Sequence, residues 1–158
     1  MQHRNVFGST DALATELVHL TVEAARRAIA ARGRFTLALT GGSAAQLLYP
    51  VLAQAPLPWD QTHVFFGDER CVPLDHADSN FALATQTLLA RVSVPAANVH
   101  RMRGEIAPAA AAAEYQDVLR SVAGGALDVV HLGMGPDGHV CSLFPGHALL
   151  HSTELVDS

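Results

Sequence analysis

The apolar and polar positions of this chain divide it into helical and extended stretches that alternate from one end to the other. Ser9-Thr10-Asp11 can cap a helix, and Leu13, Leu17, Leu20, Ala24 and Ala28 then recur at helical spacing up to a stop at Arg32-Gly33. The pattern predicts a long amphipathic helix with that set as its apolar face. Phe35 to Thr40 predicts a strand that runs straight into Gly41-Gly42-Ser43, after which Leu47, Leu48, Val51 and Leu52 mark a second helix. Beyond the turn Ala55-Pro56-Leu57-Pro58, Trp59 to Phe66 predicts another strand, ending at Gly67-Asp68-Glu69-Arg70. Asp78-Ser79 caps a helix with Phe81, Thr85, Leu88 and Leu89 on one face, and Val99 to Met102 reads as a short strand. Pro108 opens an Ala-rich helix carrying Tyr115, Leu119 and Val122, and Gly124-Gly125 closes it. Leu127 to Leu132 then predicts a buried strand, broken by Gly133-Met134-Gly135-Pro136-Asp137-Gly138.

Helices and strands in alternation point to an α/β fold with a mainly parallel sheet covered on both faces, formed by residues 1–158 as a single domain. Three of the strands end in loops of unusual chemistry: Gly41-Gly42-Ser43, Asp68-Glu69-Arg70 and Asp137-Gly138-His139. Parallel strands bring their C-terminal ends to one sheet edge, so these loops are expected to converge on one crevice.

Composition narrows the classes. With 49% hydrophobic and 16% charged residues the chain is globular and not disordered. Its net charge is −5 and it contains no lysine, so no basic surface for nucleic acid is expected. No apolar run is long enough to cross a bilayer and the first residues lack the apolar core of a signal peptide, so no membrane partner and a cytoplasmic location are expected. Cys71 and Cys141 are too few for a disulfide framework or a four-ligand zinc site and read as reduced thiols.

Each loop has a chemical reading and a plainer one. Gly41-Gly42-Ser43 at a helix start exposes unpartnered N–H groups and the positive end of the helix dipole, which suits an anion such as phosphate, or it is an ordinary strand-to-helix turn. Asp68-Glu69-Arg70 is either a surface ion-pair cluster or a site in which Asp68 orients a base while Arg70 forks onto an oxyanion. His76 reads as a solvated loop histidine, and Asp78-Ser79-Asn80 is accounted for as a cap. The run Gly133 to Gly138 matches the dinucleotide pattern of glycines, but Pro145-Gly146 interrupts where a helix is required, so no nucleotide is expected. His139 suits general acid/base work, because an imidazole titrates near neutral pH. A Ser142 nucleophile is conceivable, although the Gly-x-Ser-x-Gly elbow is absent. His131, Asp137, His139 and Cys141 do not have the spacing to place three ligands on one side, so no metal is expected.

Three stretches together, LALTGGSAAQLLYPVL, WDQTHVFFGDERCVPLDHADSNFALATQTLL and DVVHLGMGPDGHVCSLFPG, resemble the 6-phosphogluconolactonase family within the glucosamine-6-phosphate isomerase superfamily. The resemblance spans about Asp11 to Leu150. It implies a Rossmann-like three-layer αβα fold and hydrolysis of 6-phospho-D-glucono-1,5-lactone in the oxidative pentose phosphate route, with no cofactor. It makes His139 the base, gives Asp68 the positioning of water or base, and assigns phosphate to Arg70 with the amides of Gly41, Gly42 and Ser43. Ala44-Ala45 and Val140-Cys141 depart from the family's usual Thr-Pro and Thr-Ala. Family members also continue well past the SLFPG element. That difference leads to the expectation of a fold incomplete at its C-terminus, with an uncovered sheet face, marginal stability and weak or no lactonase activity for these residues alone. A non-catalytic sugar-phosphate-binding module and an aminosugar-phosphate deaminase or isomerase are the alternatives. The oligomeric state is left open.

Overall fold

The computed structural model describes residues 4–158. Helix α1 (Thr10–Arg32) leads into strand β1 (Phe35–Leu39) and helix α2 (Gly42–Leu52). Strand β2 (Thr62–Phe66), helix α3 (Asn80–Thr87), helix α4 (Pro108–Ala123) and strand β3 (Val129–Val130) follow. The ends of α1 are set as the sequence predicts: the Ser9 hydroxyl accepts the Ala12 N–H at 3.1 Å, and Gly33 closes the helix at φ 73°.

All strand pairs are parallel, in the order β2-β1-β3, with Leu37 opposite both Val64 and Val129. Central β1 is buried along its whole length, as a strand covered on both faces must be. The chain leaves β1 for one neighbour and later crosses to the other. This reversal makes the C-terminal ends of β1 and β3 a topological switch point, the place where such sheets form a crevice.

Three layers result. Phe35, Leu37 and Leu39 of β1, with Val64 and Phe66 of β2, pack with residues of α1, α2 and α3 on one face. Ala38 and Phe65 meet Tyr115 and Leu119 of α4 on the other. Tyr115 fastens α4 to the sheet through its hydroxyl, which accepts the Phe66 N–H at 2.8 Å and donates to the His100 carbonyl at 3.2 Å.

Four expectations are corrected. The buried stripe of α1 is Ala14, Val18, Val22, Ala25 and Ala28, while Leu17 and Leu20 stand 37% and 48% exposed. Two apolar stripes lie side by side on this helix, and the smaller side chains face the sheet. Trp59–Gln61 is a single 3-10 turn before β2, and Val99 makes one isolated bridge to Val64 in place of a strand. The strand expected over Leu127 to Leu132 contracts to two residues, with Val130 44% and Leu132 59% exposed, and among the described residues it pairs with β1 alone.

His131 follows β3 and is buried against α1. The Thr21 hydroxyl gives its proton to the Leu17 carbonyl at 2.7 Å, so it accepts from His131 Nε2 at 2.9 Å and leaves Nδ1 without a partner. Burial pushes this imidazole down from its ordinary 6.5 to about 4. The unfolded chain therefore binds the extra proton between these values, and stability is lost as pH falls from 6.5 towards 4. The loss from this group should reach about 3 kcal/mol at the acid end. Urea unfolding at pH 7 and pH 4.5 on the parent and on His131→Gln checks it, and equal pH dependence in both would refute it.

Candidate functional site

The glycines after β3 build a compact loop. Gly138 N–H donates to the Gly135 carbonyl at 3.0 Å, and Gly135 N–H donates to the His139 carbonyl at 2.8 Å. Gly138 occupies the left-handed region at φ 88°, which a side chain would strain. A Cβ on Gly135 would lie 2.2 Å from His139 Cε1, so only glycine lets the imidazole fold back over the turn. There His139 Nδ1 meets Asp137 Oδ1 at 2.6 Å. The bond holds the Asp137 carboxyl below its usual range. A carboxylate only accepts, so Nδ1 carries a proton, and in the neutral ring Nε2 keeps its lone pair. The His139 ring also stacks on Phe144, with centroids 4.8 Å apart.

Immediately beyond His139, Val140 and Leu143 exchange backbone hydrogen bonds across a tight turn, with Cys141 at φ 53°. This turn delivers Ser142, whose hydroxyl donates to Asp68 Oδ2 at 2.6 Å. The loops after β2 and β3 are thereby tied together, although 74 positions separate the two residues. The hydroxyl is committed to a carboxylate and not to His139, which argues against a nucleophilic role for Ser142. Burial, and then the charge of Asp68, push the Cys141 thiol up to about 11, so it is not a nucleophile at neutral pH either.

The acidic pair after β2 divides into two tasks. Asp68 Oδ1 accepts from Asn80 Nδ2 at 2.9 Å, while Oδ2 accepts from the Ser142 hydroxyl at 2.6 Å. Glu69 instead closes the start of α3, accepting the N–H groups of Asn80 and Phe81 at 2.8 and 2.9 Å and the Ser79 hydroxyl at 3.1 Å. The cap read locally as Asp78-Ser79 is thus Ser79 helped by a carboxylate from another loop. Arg70 is exposed and, among the described residues, makes no ion pair with Asp68 or Glu69, so the surface ion-pair reading does not describe this cluster.

Gly41, Gly42 and Ser43 open α2 as expected, with Gly42 at φ 65°. They approach the Asp68 loop through Asn80: a Cβ on Gly41 would lie 2.1 Å from Asn80 Oδ1. At the C-terminal edge of the sheet the three loops come together: Ser142 reaches Asp68, Asn80 stands between Asp68 and Gly41, and a Cβ on Gly133 would lie 3.1 Å from Ala44 Cβ. A cleft of about 770 Å³ is lined by Asp68, Arg70, Cys141 and Ser142 together with Leu119 and Val130, but not by His139 or the glycine turn. It lies on the α4 side of the sheet, whereas α2 packs on the opposite side. Asp137 and Asn80 are the contacts that local reading missed. Asp137 lies two positions before the histidine, a spacing that permits a side-chain bond across one glycine, whereas Asn80 reads in the sequence only as part of a cap.

Residues 8–156 match the sequence model of the family described as glucosamine-6-phosphate isomerases/6-phosphogluconolactonase. A curated relative named 6-phosphogluconolactonase from Nostoc sp. is 48% identical over 75% of this chain and 52% of its own length. One named probable 6-phosphogluconolactonase 3, chloroplastic, from Oryza sativa subsp. indica, is 39% identical over 92% of this chain and 49% of its own. The chain spans about half the length of these curated relatives. The crystal structure of 6-phosphogluconolactonase from Thermotoga maritima superposes with a TM-score of 0.76 at 34% identity, covering 83% of this chain and 60% of that one.

Proposed function

Since this chain belongs to the family of glucosamine-6-phosphate isomerases and 6-phosphogluconolactonases, we propose that it hydrolyses 6-phospho-D-glucono-1,5-lactone to 6-phospho-D-gluconate. The observation that carries the reading is the Asp137–His139 pair, which leaves Nε2 free on a loop that Ser142 pins to Asp68. In this mechanism Nε2 takes a proton from water as the water oxygen bonds to the lactone carbonyl carbon. The tetrahedral intermediate collapses by breaking the bond from that carbon to the ring oxygen. The imidazolium returns the proton to the departing oxygen, so one water is consumed and one hydroxy acid is formed. Asp137 keeps the ring in the productive tautomer and balances its transient charge.

Asp68, held from both sides, is the fixed anion that orients the water and the imidazolium. The exposed Arg70 and the amides of Gly41, Gly42 and Ser43, which Asn80 joins to the Asp68 loop at the sheet edge, hold the phosphate. Two free cysteines support a reducing compartment, the cytoplasm, for the reaction. Among the described residues no helix is long and apolar enough to cross a membrane.

The test compares hydrolysis of the 6-phosphorylated lactone with its spontaneous rate and with that of the unphosphorylated lactone. Turnover above the spontaneous rate, with the phosphate-free compound at least tenfold poorer in kcat/KM, is the expected result. Release of ammonia from an aminosugar phosphate would favour the deaminase reading, and phosphosugar binding without turnover would favour a binding module.

A further inference from the structure

We propose that Asn80 is a positioning residue for the reaction, fixing the direction of the Asp68 carboxylate and its distance from the Gly41 turn. The idea rests on the lactonase reading and extends it to a residue at the first position of α3. Asn80 is only 3% exposed. Its Nδ2 donates both to the Asp68 backbone carbonyl at 3.0 Å and to Asp68 Oδ1 at 2.9 Å. Each of these partners can only accept, which decides the amide's orientation: the nitrogen faces Asp68 and Oδ1 faces Gly41. The other side of the amide is equally constrained, because a Cβ on Gly41 would come within 2.1 Å of Oδ1 and 2.7 Å of Cγ. Asn80 is therefore a spacer with Asp68 on one side and the Gly41 backbone on the other.

Capping α3 does not require this side chain. The Asn80 backbone N–H satisfies Glu69, and Ser79 supplies the hydroxyl that accepts the Ala82 N–H at 3.1 Å. An aspartate would serve at the first turn of a helix at least as well as asparagine, since the helix dipole favours it. Such a residue would turn a carboxylate oxygen towards Asp68 and lose both donated bonds. Since Asn80→Asp also buries a second carboxylate beside Asp68, the discriminating variant is Asn80→Ala. A purely structural role predicts lower stability with the parental kcat in the folded protein, and a positioning role predicts a loss of kcat.

The experiment measures kcat and KM for lactone hydrolysis, with thermal unfolding, in the parent, Asn80→Asp, Asn80→Ala, Gly41→Ala and the double variant Gly41→Ala/Asn80→Ala. Both Asn80 variants should lose about 100-fold in kcat with KM changed by no more than about threefold, since Asp68 drifts while the phosphate contacts remain. Gly41 has φ −108°, which alanine adopts freely, so the cost of Gly41→Ala comes from pressing on Asn80. Gly41→Ala should lower kcat in the parent and add little once Asn80 is alanine. A folded Asn80→Ala with parental kcat, or a loss confined to KM, would overturn the proposal, as would additive effects of the two substitutions. If the folded parent does not hydrolyse the lactone, the functional reading fails on its own. Crystal structures of the parent and Asn80→Ala then decide the role of Asn80. Departure of the Asp68 carboxylate from the Ser142 hydroxyl supports it, and an unmoved carboxylate refutes it.

Discussion

Replacing His139 with alanine should lower kcat for lactone hydrolysis by about 10² to 10⁴, the range expected when a general base is lost, while leaving stability within about 1 kcal/mol. The imidazole sits on a surface loop, and its removal empties no core position; what disappears is the Nε2 lone pair presented by the Asp137 bond. The measurement is initial-rate hydrolysis corrected for the spontaneous reaction, with thermal unfolding as the control for folding. Ser142→Ala serves as the comparison: its hydroxyl grips Asp68 as Asn80 does, so its loss should cost kcat no more than about 100-fold and leaves the base in place. A folded His139→Ala protein with the parental rate would remove His139 from the mechanism. A larger loss in Ser142→Ala than in His139→Ala would point to a covalent route.

Gly104→Ala is expected to destabilise the fold by about 3 kcal/mol, at the upper end of the usual cost of overpacking. A Cβ at this position would lie 2.1 Å from the Arg70 carbonyl oxygen and 2.9 Å from that of Val72. Both obstacles are backbone, so no rotamer change relieves them, and the loop carrying Asp68 and Arg70 must shift as a unit. The unfolding midpoint should fall by roughly 6 to 12 °C. KM should rise as well, because Arg70 moves with the loop. Gly8→Ala is the control, since a Cβ there has nothing within 4 Å and should change stability by no more than about 0.5 kcal/mol. An unfolding midpoint for Gly104→Ala equal to that of Gly8→Ala would show that the two loops do not meet at this point.

The exposed edge of the sheet bears on both results. Val130 of β3 and Leu132 just beyond it are exposed, and the cleft between α4 and the sheet is largely apolar. An edge strand with one neighbour contributes less to the fold than a central one, and the loop that carries His139 hangs from it. Gly133 N–H reaches back to the Thr40 hydroxyl at 3.3 Å, and Tyr49 donates to the Thr40 carbonyl, so the start of that loop is fastened to β1 and α2.

Much of this was determined by local sequence. Ser9, Ser79, Gly33, Pro108 and Gly124 act within one or two turns of themselves, so the helix boundaries follow from neighbours in the chain. The continuous apolar run of β1 announces a strand covered on both faces, and the turn chemistry of Gly133 to Gly138 announces a break. His139, Asp68, Arg70 and the Gly41-Gly42-Ser43 turn stand at strand ends for the same local reason. Tertiary structure alone decided which of two apolar stripes on α1 is buried, because both have helical spacing and only docking on the sheet chooses between them. It also decided that Glu69 caps a helix, that Ser142 and Asn80 grip Asp68 from two sides, and that Gly41 and Gly133 meet neighbouring loops at one sheet edge. Those outcomes depend on residues far apart in sequence meeting across parallel strands, where one face or one extra residue of register changes every contact.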